Sequence, residues 1–323
     1  MTSGKRQAVD DVNILRRRKS VRPLLGSPAI LDPDEVPATC SKALGVTVTV
    51  TAFLLVLTAA ALHATWNLLV KQSDDRLVST WAIVMSGALF SIPVTVVLGL
   101  PERDAVPWLV TSALLHVAYG HALAGAYDRI DLAAAYPIAR GTAPLIVMVG
   151  SIAFLGDVVS PVAMIGIVLV VASLGLIGIR HVPHGIGWAV LTGLMIALYT
   201  LSDGAGVRAG NDSVRYIAAL FQLHAVAFTI TILAIRRSPT TMLATVRRSP
   251  RRLMFGGLAS ACAYLLVMIA ARTTPLGLVA GLRETSAGFG VLAGALVLHE
   301  RVTVLHAAAV AVAVGGGGLI ALG

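Results

Sequence analysis

From residue 50 onward the chain repeats one pattern: a long apolar run, a short polar break, then another apolar run. A membrane-spanning helix needs about 20 mostly apolar residues. Ten such windows fit the chain, near 50–70, 79–100, 106–127, 132–155, 159–180, 185–206, 214–235, 253–272, 275–298 and 302–322. The pattern predicts an all-α integral membrane protein with ten transmembrane helices. The breaks are too short to hold a separate soluble domain, so function must lie inside the bundle. Residues 1–49 differ from the rest: they are polar, contain Pro, and carry the run "RRRKSVR". They read as a disordered basic tail drawn to anionic lipid. No apolar stretch with a small-residue cleavage site follows the basic run, which argues against a targeting segment. A third reading starts translation near Val50, because the segment from there to Lys71 makes a complete first helix.

Composition agrees with the windows. Of 323 residues, 57% are hydrophobic and 13% charged. The mean hydropathy of +0.85 exceeds what a soluble domain of this size can hide. Cys40 falls in the tail and Cys262 in a predicted span, so neither a disulfide framework nor a thiolate metal site has a basis. The net charge of +9 does not indicate nucleic acid: eight of the 25 Lys and Arg lie in the first 42 residues and six more in 236–252. Beside a membrane, such residues set topology and meet lipid headgroups. "GFGVLAG" lacks the sixth-position Gly of a dinucleotide loop and has no preceding strand. "HERVT" lacks the second His of a zinc motif, and the sequon at Asn211 stands alone. No cofactor and no metal are expected.

Shifting the chain by 143 residues aligns 121–178 with 264–321 without a gap. Arg129 then falls on Arg272, Arg140 on Arg283, Thr142 on Thr285 and Asp157 on Glu300. Earlier in each half, "HATWN" falls on "IALYT", setting Trp66 over Tyr199. The domains are therefore two five-helix units, 50–180 and 185–322. Because five is odd, the second unit enters the membrane from the opposite side. Inverted repeats of this kind characterise secondary transporters, with substrate bound near the midplane between the halves.

"HATWNLLVKQSDDR" at 63–76, "YPIARGTAPLIVMVG" at 136–150 and "LRETSAGFGVLAGALVLHER" at 282–301 together resemble the EamA-type branch of the drug/metabolite transporter superfamily. The resemblance spans about residues 50 to 322. It implies two five-helix EamA-like repeats in a bacterial inner membrane, exporting or exchanging a small metabolite, often amino-acid-like. One departure is Asp157, where the family commonly has Glu.

Polar residues within the apolar windows are the candidates for chemistry. Arg140 and Arg283 each follow a predicted helix start by about eight residues, about 12 Å deep. They either snorkel to the headgroups or act as central cations, one per repeat, recognising a carboxylate or phosphate with a planar fork of donors. Pro137 and Pro144 bracket the first and Gly281 and Gly288 the second, permitting local unwinding toward a cavity. Glu284, aligned with Gly141, breaks the symmetry. It either neutralises an arginine or carries a coupling proton. His63, Trp66 and Asn67 share a face of the first helix. Trp66, Asn67, Tyr136 and Tyr199 are expected to shape a substrate cavity, while His63 is read equally as packing. His116, Tyr119 and Asp203 are further polar positions, read as structural. Lys71 reads as a snorkelling anchor, and Asp157 and Glu300 as caps or gate contacts.

The expected function is alternating-access transport of a small anionic or zwitterionic solute, with protons as a possible coupling ion and the bilayer as partner, in a monomer or homodimer. A membrane-embedded lipid enzyme would require a metal or nucleophile cluster, and none is visible in the sequence. A non-transporting scaffold would not account for an intramembrane arginine in each half. Sidedness stays open: loops opposite the termini hold eleven Lys and Arg, and those beside the termini hold four, or twelve with the tail.

Overall fold

In the computed structural model, residues 48–71, 73, 75–127, 129, 132–178, 185–236, 238–286, 288–289 and 303–323 are described. The basic tail, apart from its last two residues, and the expectation for Glu300 lie outside them. Among the described residues there are eleven α-helices and no strand. The helices are α1 (Val50–Lys71), α2 (Arg76–Leu98), α3 (Val106–Tyr127), α4 (Leu132–Leu155), α5 (Pro161–Gly178) and α6 (Ile186–Ala209). They continue with α7 (Ser213–Arg236), α8 (Pro239–Arg248), α9 (Pro250–Ala271), α10 (Leu276–Arg283) and α11 (Val304–Leu322). Seven of them, α1 to α4, α6, α7 and α9, contain stretches long and apolar enough to cross a membrane. The protein is an all-α, multi-pass integral membrane protein.

Several helix starts differ from the windows because caps extend them. Asp75 accepts the Val78 N–H at 3.0 Å, so α2 begins at Arg76 and not at 79. Asp212 accepts the N–H groups of Val214 and Arg215, at 2.9 and 3.0 Å, just ahead of α7. Pro161 and Pro250 open α5 and α9, where a missing N–H costs nothing. The window at 275–298 departs most. There α10 stops at Arg283, and Glu284 and Thr285 form a turn whose N–H groups reach back only three residues, to Gly281 and Leu282. The corresponding stretch of α4 runs unbroken through Arg140.

The packing joins elements distant in sequence. α5 lies along α11, α3 along α6, α1 along α9, α4 along α6 and α10, α2 along α7 and α9, and α3 along α7. α1 also meets α10. The α5–α11 crossing depends on small residues. A Cβ on Gly316 would sit 2.7 Å from the Gly166 carbonyl oxygen, and one on Gly166 would sit 2.6 Å from that of Gly316. Only glycine at both positions lets the backbones meet. Between α2 and α7, Trp81 Nε1 donates to Thr229 Oγ1 at 2.8 Å and Gln222 Nε2 to Thr95 Oγ1 at 2.6 Å. These polar side chains are satisfied by each other rather than left open to lipid.

Candidate functional site

A cavity of about 90 Å³, room for several waters, lies within the bundle and draws its wall from α1, α2, α3, α4, α6, α7, α9 and α10. Arg140 and Arg283, separated by most of the fold in sequence, both line it, and they are only 6% and 4% exposed. Snorkelling is thereby replaced by burial.

Arg140 is held on three sides. Its Nε donates to Glu284 Oε2 at 2.8 Å, its Nη1 meets His63 Nε2 at 2.7 Å, and its Nη2 donates to Ser286 Oγ at 3.2 Å. The turn that ends α10 presents both Glu284 and Ser286 to α4. Glu284 is 1% exposed, and its other oxygen, Oε1, lies 4.0 Å from Arg283 Nε. That separation is too long for a hydrogen bond, and both atoms are buried without a hydrogen-bond partner among the described residues. One donor and one acceptor thus face each other across a gap.

His63 meets two donors. Besides Arg140, the Trp66 indole Nε1 lies 3.2 Å from its Nδ1. A neutral imidazole has one ring lone pair, so it accepts from only one of them. The shorter contact, to a cation, takes it. The Trp66 N–H is then left for another acceptor, and Trp66 lines the cavity. Asn67 is not in that wall; its Nδ2 donates to the His63 carbonyl at 2.7 Å within the same helix. Asn67 thus spends one amide donor on its own helix and is not among the residues lining the cavity.

The opposite wall is aromatic. Tyr199 stacks on His116 with ring centroids 3.9 Å apart, and Tyr264 and His224 approach the same imidazole at 5.7 and 5.1 Å. His116 Nδ1 lies 2.9 Å from the Ser112 carbonyl, which can only accept, so Nδ1 carries the proton and Nε2 the lone pair. Behind this wall Asp203, fully buried, receives the hydroxyls of Tyr216 at 2.9 Å and of Tyr264. Its carboxylate fixes Tyr264 and is satisfied, which fits the structural reading of that residue. Tyr119 also lines the cavity, whereas the Tyr136 and Lys71 side chains lie outside the described residues.

The arginines therefore face the cavity while the carboxylates of Glu284 and Asp203 sit behind. His224, Tyr264 and Ser286 were not singled out from sequence. The available signal was a polar tip inside an apolar run, weaker than a full charge. At another end of the bundle, Arg208 Nη1 donates to Asp157 Oδ1 at 2.8 Å, and Asp157 Oδ2 accepts the Leu276 N–H at 2.6 Å. Asp157 so caps α10 and ties it to α6. Among the described residues no group of three or more His, Cys, Asp or Glu is placed to hold a metal.

No protein-family model matches the chain, and no curated protein matches it. Among solved structures, a crystal structure described only as that of a protein superposes with a TM-score of 0.67, over 84% of this chain and 97% of its own, at 17% identity. At that identity the likeness is one of fold.

Proposed function

We propose that the protein is a secondary transporter of a small zwitterionic, amino-acid-like solute, working by alternating access in an EamA-type fold of ten spans. The observation that carries this reading is the convergence of Arg140 and Arg283, equivalent positions of the two sequence repeats, on one buried cavity. The helix packing supports an inverted repeat. If α1 to α5 correspond to α6, α7, α9, α10 and α11, the α3–α6 contact has α9–α1 as its mate, α4–α6 has α10–α1, and α2–α9 has α7–α3. The contacts α2–α7, α4–α10 and α5–α11 map onto themselves, as a two-fold axis between the halves requires. The turn after Arg283 is the broken-helix feature that transporter sites commonly use to aim polar groups at substrate.

The solute's chemistry follows from the unpartnered atoms. Arg283 Nε needs an acceptor, Glu284 Oε1 needs a donor, and they lie 4.0 Å apart. An α-amino acid supplies a carboxylate oxygen to the first, whose residue lines the cavity, and an ammonium to the second, which lies just behind that wall. A simple anion would satisfy Arg283, leave Glu284 Oε1 without a donor and repel the Glu284 charge. The Trp66 N–H offers the carboxylate a further donor, and the aromatic wall of Tyr199, Tyr264 and His116 takes an apolar side chain. The test is competition in proteoliposomes. α-Amino acids should displace a transported tracer, whereas their deaminated carboxylate counterparts should not. Equal displacement by both would exclude recognition of the ammonium.

A further inference from the structure

A second hollow, of about 610 Å³ and lined chiefly by Ser, Thr, Asp and Arg residues, lies where α1 ends, α2 begins and α8 turns into α9. Since α1 and α2 are both of spanning length, their junction marks a membrane surface. The ten-residue α8 is too short and too polar to cross. It buries Met242 against Val78 and Ile232 and leaves Leu243, Arg247 and Arg248 exposed. This is the amphipathic character of a helix lying at an interface.

Two donors in the hollow lack hydrogen-bond partners among the described residues. Ser79 Oγ is buried, in a residue 1% exposed, and Arg252 Nε is buried as well. The Arg252 guanidinium is fixed in place because its Nη2 donates to the Leu69 carbonyl at the end of α1. Ser249 precedes the 22-residue α9 without capping it through its side chain, so the positive end of that helix also borders the hollow. Among the described residues one carboxylate, Asp75, lines the same space, and its Oδ1 is occupied by the Val78 N–H. Against it stand Arg248 and Arg252 in the wall, with Arg247 and Arg251 exposed beside them. Fixed donors, a helix N-terminus and a surplus of arginine suit a group that only accepts hydrogen bonds and carries negative charge. One turn on from Arg252 on α9, Phe255 is 56% exposed, an apolar surface for acyl chains.

We propose that this hollow binds the phosphate of an anionic phospholipid headgroup, with Arg252 and Ser79 as its fixed donors. The test is thermal unfolding of the detergent-purified full chain with added phosphatidylglycerol, phosphatidylcholine or inorganic phosphate at equal concentration. Phosphatidylglycerol should raise the midpoint well above the effect of phosphatidylcholine, and Ser79→Ala and Arg252→Gln should each reduce that difference. Arg252→Gln also loses the bond to Leu69, so if it fails to fold, Ser79→Ala decides. Equal shifts from the two lipids, or an undiminished difference in Ser79→Ala, would overturn the proposal. An equal shift from inorganic phosphate, lost in Ser79→Ala, would assign the site to a soluble phosphate and remove the lipid from it.

Discussion

Replacing Glu284 by glutamine keeps the size of the side chain and removes its charge from a place where two arginines depend on it. At the observed 2.8 Å from Arg140 Nε, the gross attraction is on the order of 6 kcal/mol for an effective dielectric of about 20. Desolvation offsets much of that. What the variant reports is the cost of leaving buried cations without their counter-charge, about 3–5 kcal/mol for a buried pair that loses one member. The amide oxygen of the introduced side chain can still accept from Arg140, which returns about 1 kcal/mol. A net destabilisation of about 2–4 kcal/mol follows from these two terms. A double-mutant cycle with Arg140→Gln, read by equilibrium unfolding in mixed micelles, separates the pair from the Arg140 bonds to His63 and Ser286, and should give a coupling of at least about 2 kcal/mol. A coupling within the roughly 0–1 kcal/mol range typical of exposed pairs would refute the reasoning, because Glu284 would then be solvated and not buried.

Gly316→Val should destabilise the α5–α11 crossing by about 1–3 kcal/mol, since its Cβ would lie 2.7 Å from a backbone oxygen. Gly315→Ala, where nothing lies within 4 Å of the added Cβ, should be close to neutral, and unfolding midpoints compare the two. Asp157→Ala should speed hydrogen exchange at the Leu276 amide and its neighbours by removing the acceptor at 2.6 Å; unchanged exchange would show that Asp157 does not cap α10. If Glu284 carries a coupling proton as well as meeting the ammonium, Glu284→Gln should weaken solute exchange across liposomes and lose accumulation driven by a pH gradient altogether; equal losses in the two assays would remove the proton from Glu284.

The apolar windows located the helices because their signal is length and composition, which survive any packing arrangement. Their ends were less legible, since a cap such as Asp75 extends a helix into polar sequence. The break at Arg283 was foreshadowed only by flanking glycines, and why α4 stays helical at Arg140 while α10 turns is a matter of tertiary context. Arg140, Arg283 and Glu284 stood out because a full charge in an apolar run demands a reason. Their pairing was open: Glu284 could neutralise either Arg140 or Arg283, and the fold bonds it to Arg140. That Asn67 donates to its own backbone was not legible, because sharing a helix face with Trp66 does not reveal where an amide bonds. His224 and Tyr264 were overlooked because a neutral aromatic polar residue costs little in such a run.

The central claim is that Arg140 and Arg283 form one solute site between two halves that rock. Counterflow in proteoliposomes tests it most directly, using a tracer amino acid identified from a panel, with wild type, Arg140→Ala, Arg283→Ala and Arg283→Lys reconstituted at equal, verified folded amounts. The account predicts counterflow in wild type, loss in both alanine variants, and incomplete recovery in Arg283→Lys, because an ammonium cannot reproduce the planar fork. Full counterflow in a folded Arg283→Ala protein, or none in wild type across the whole panel, would contradict it.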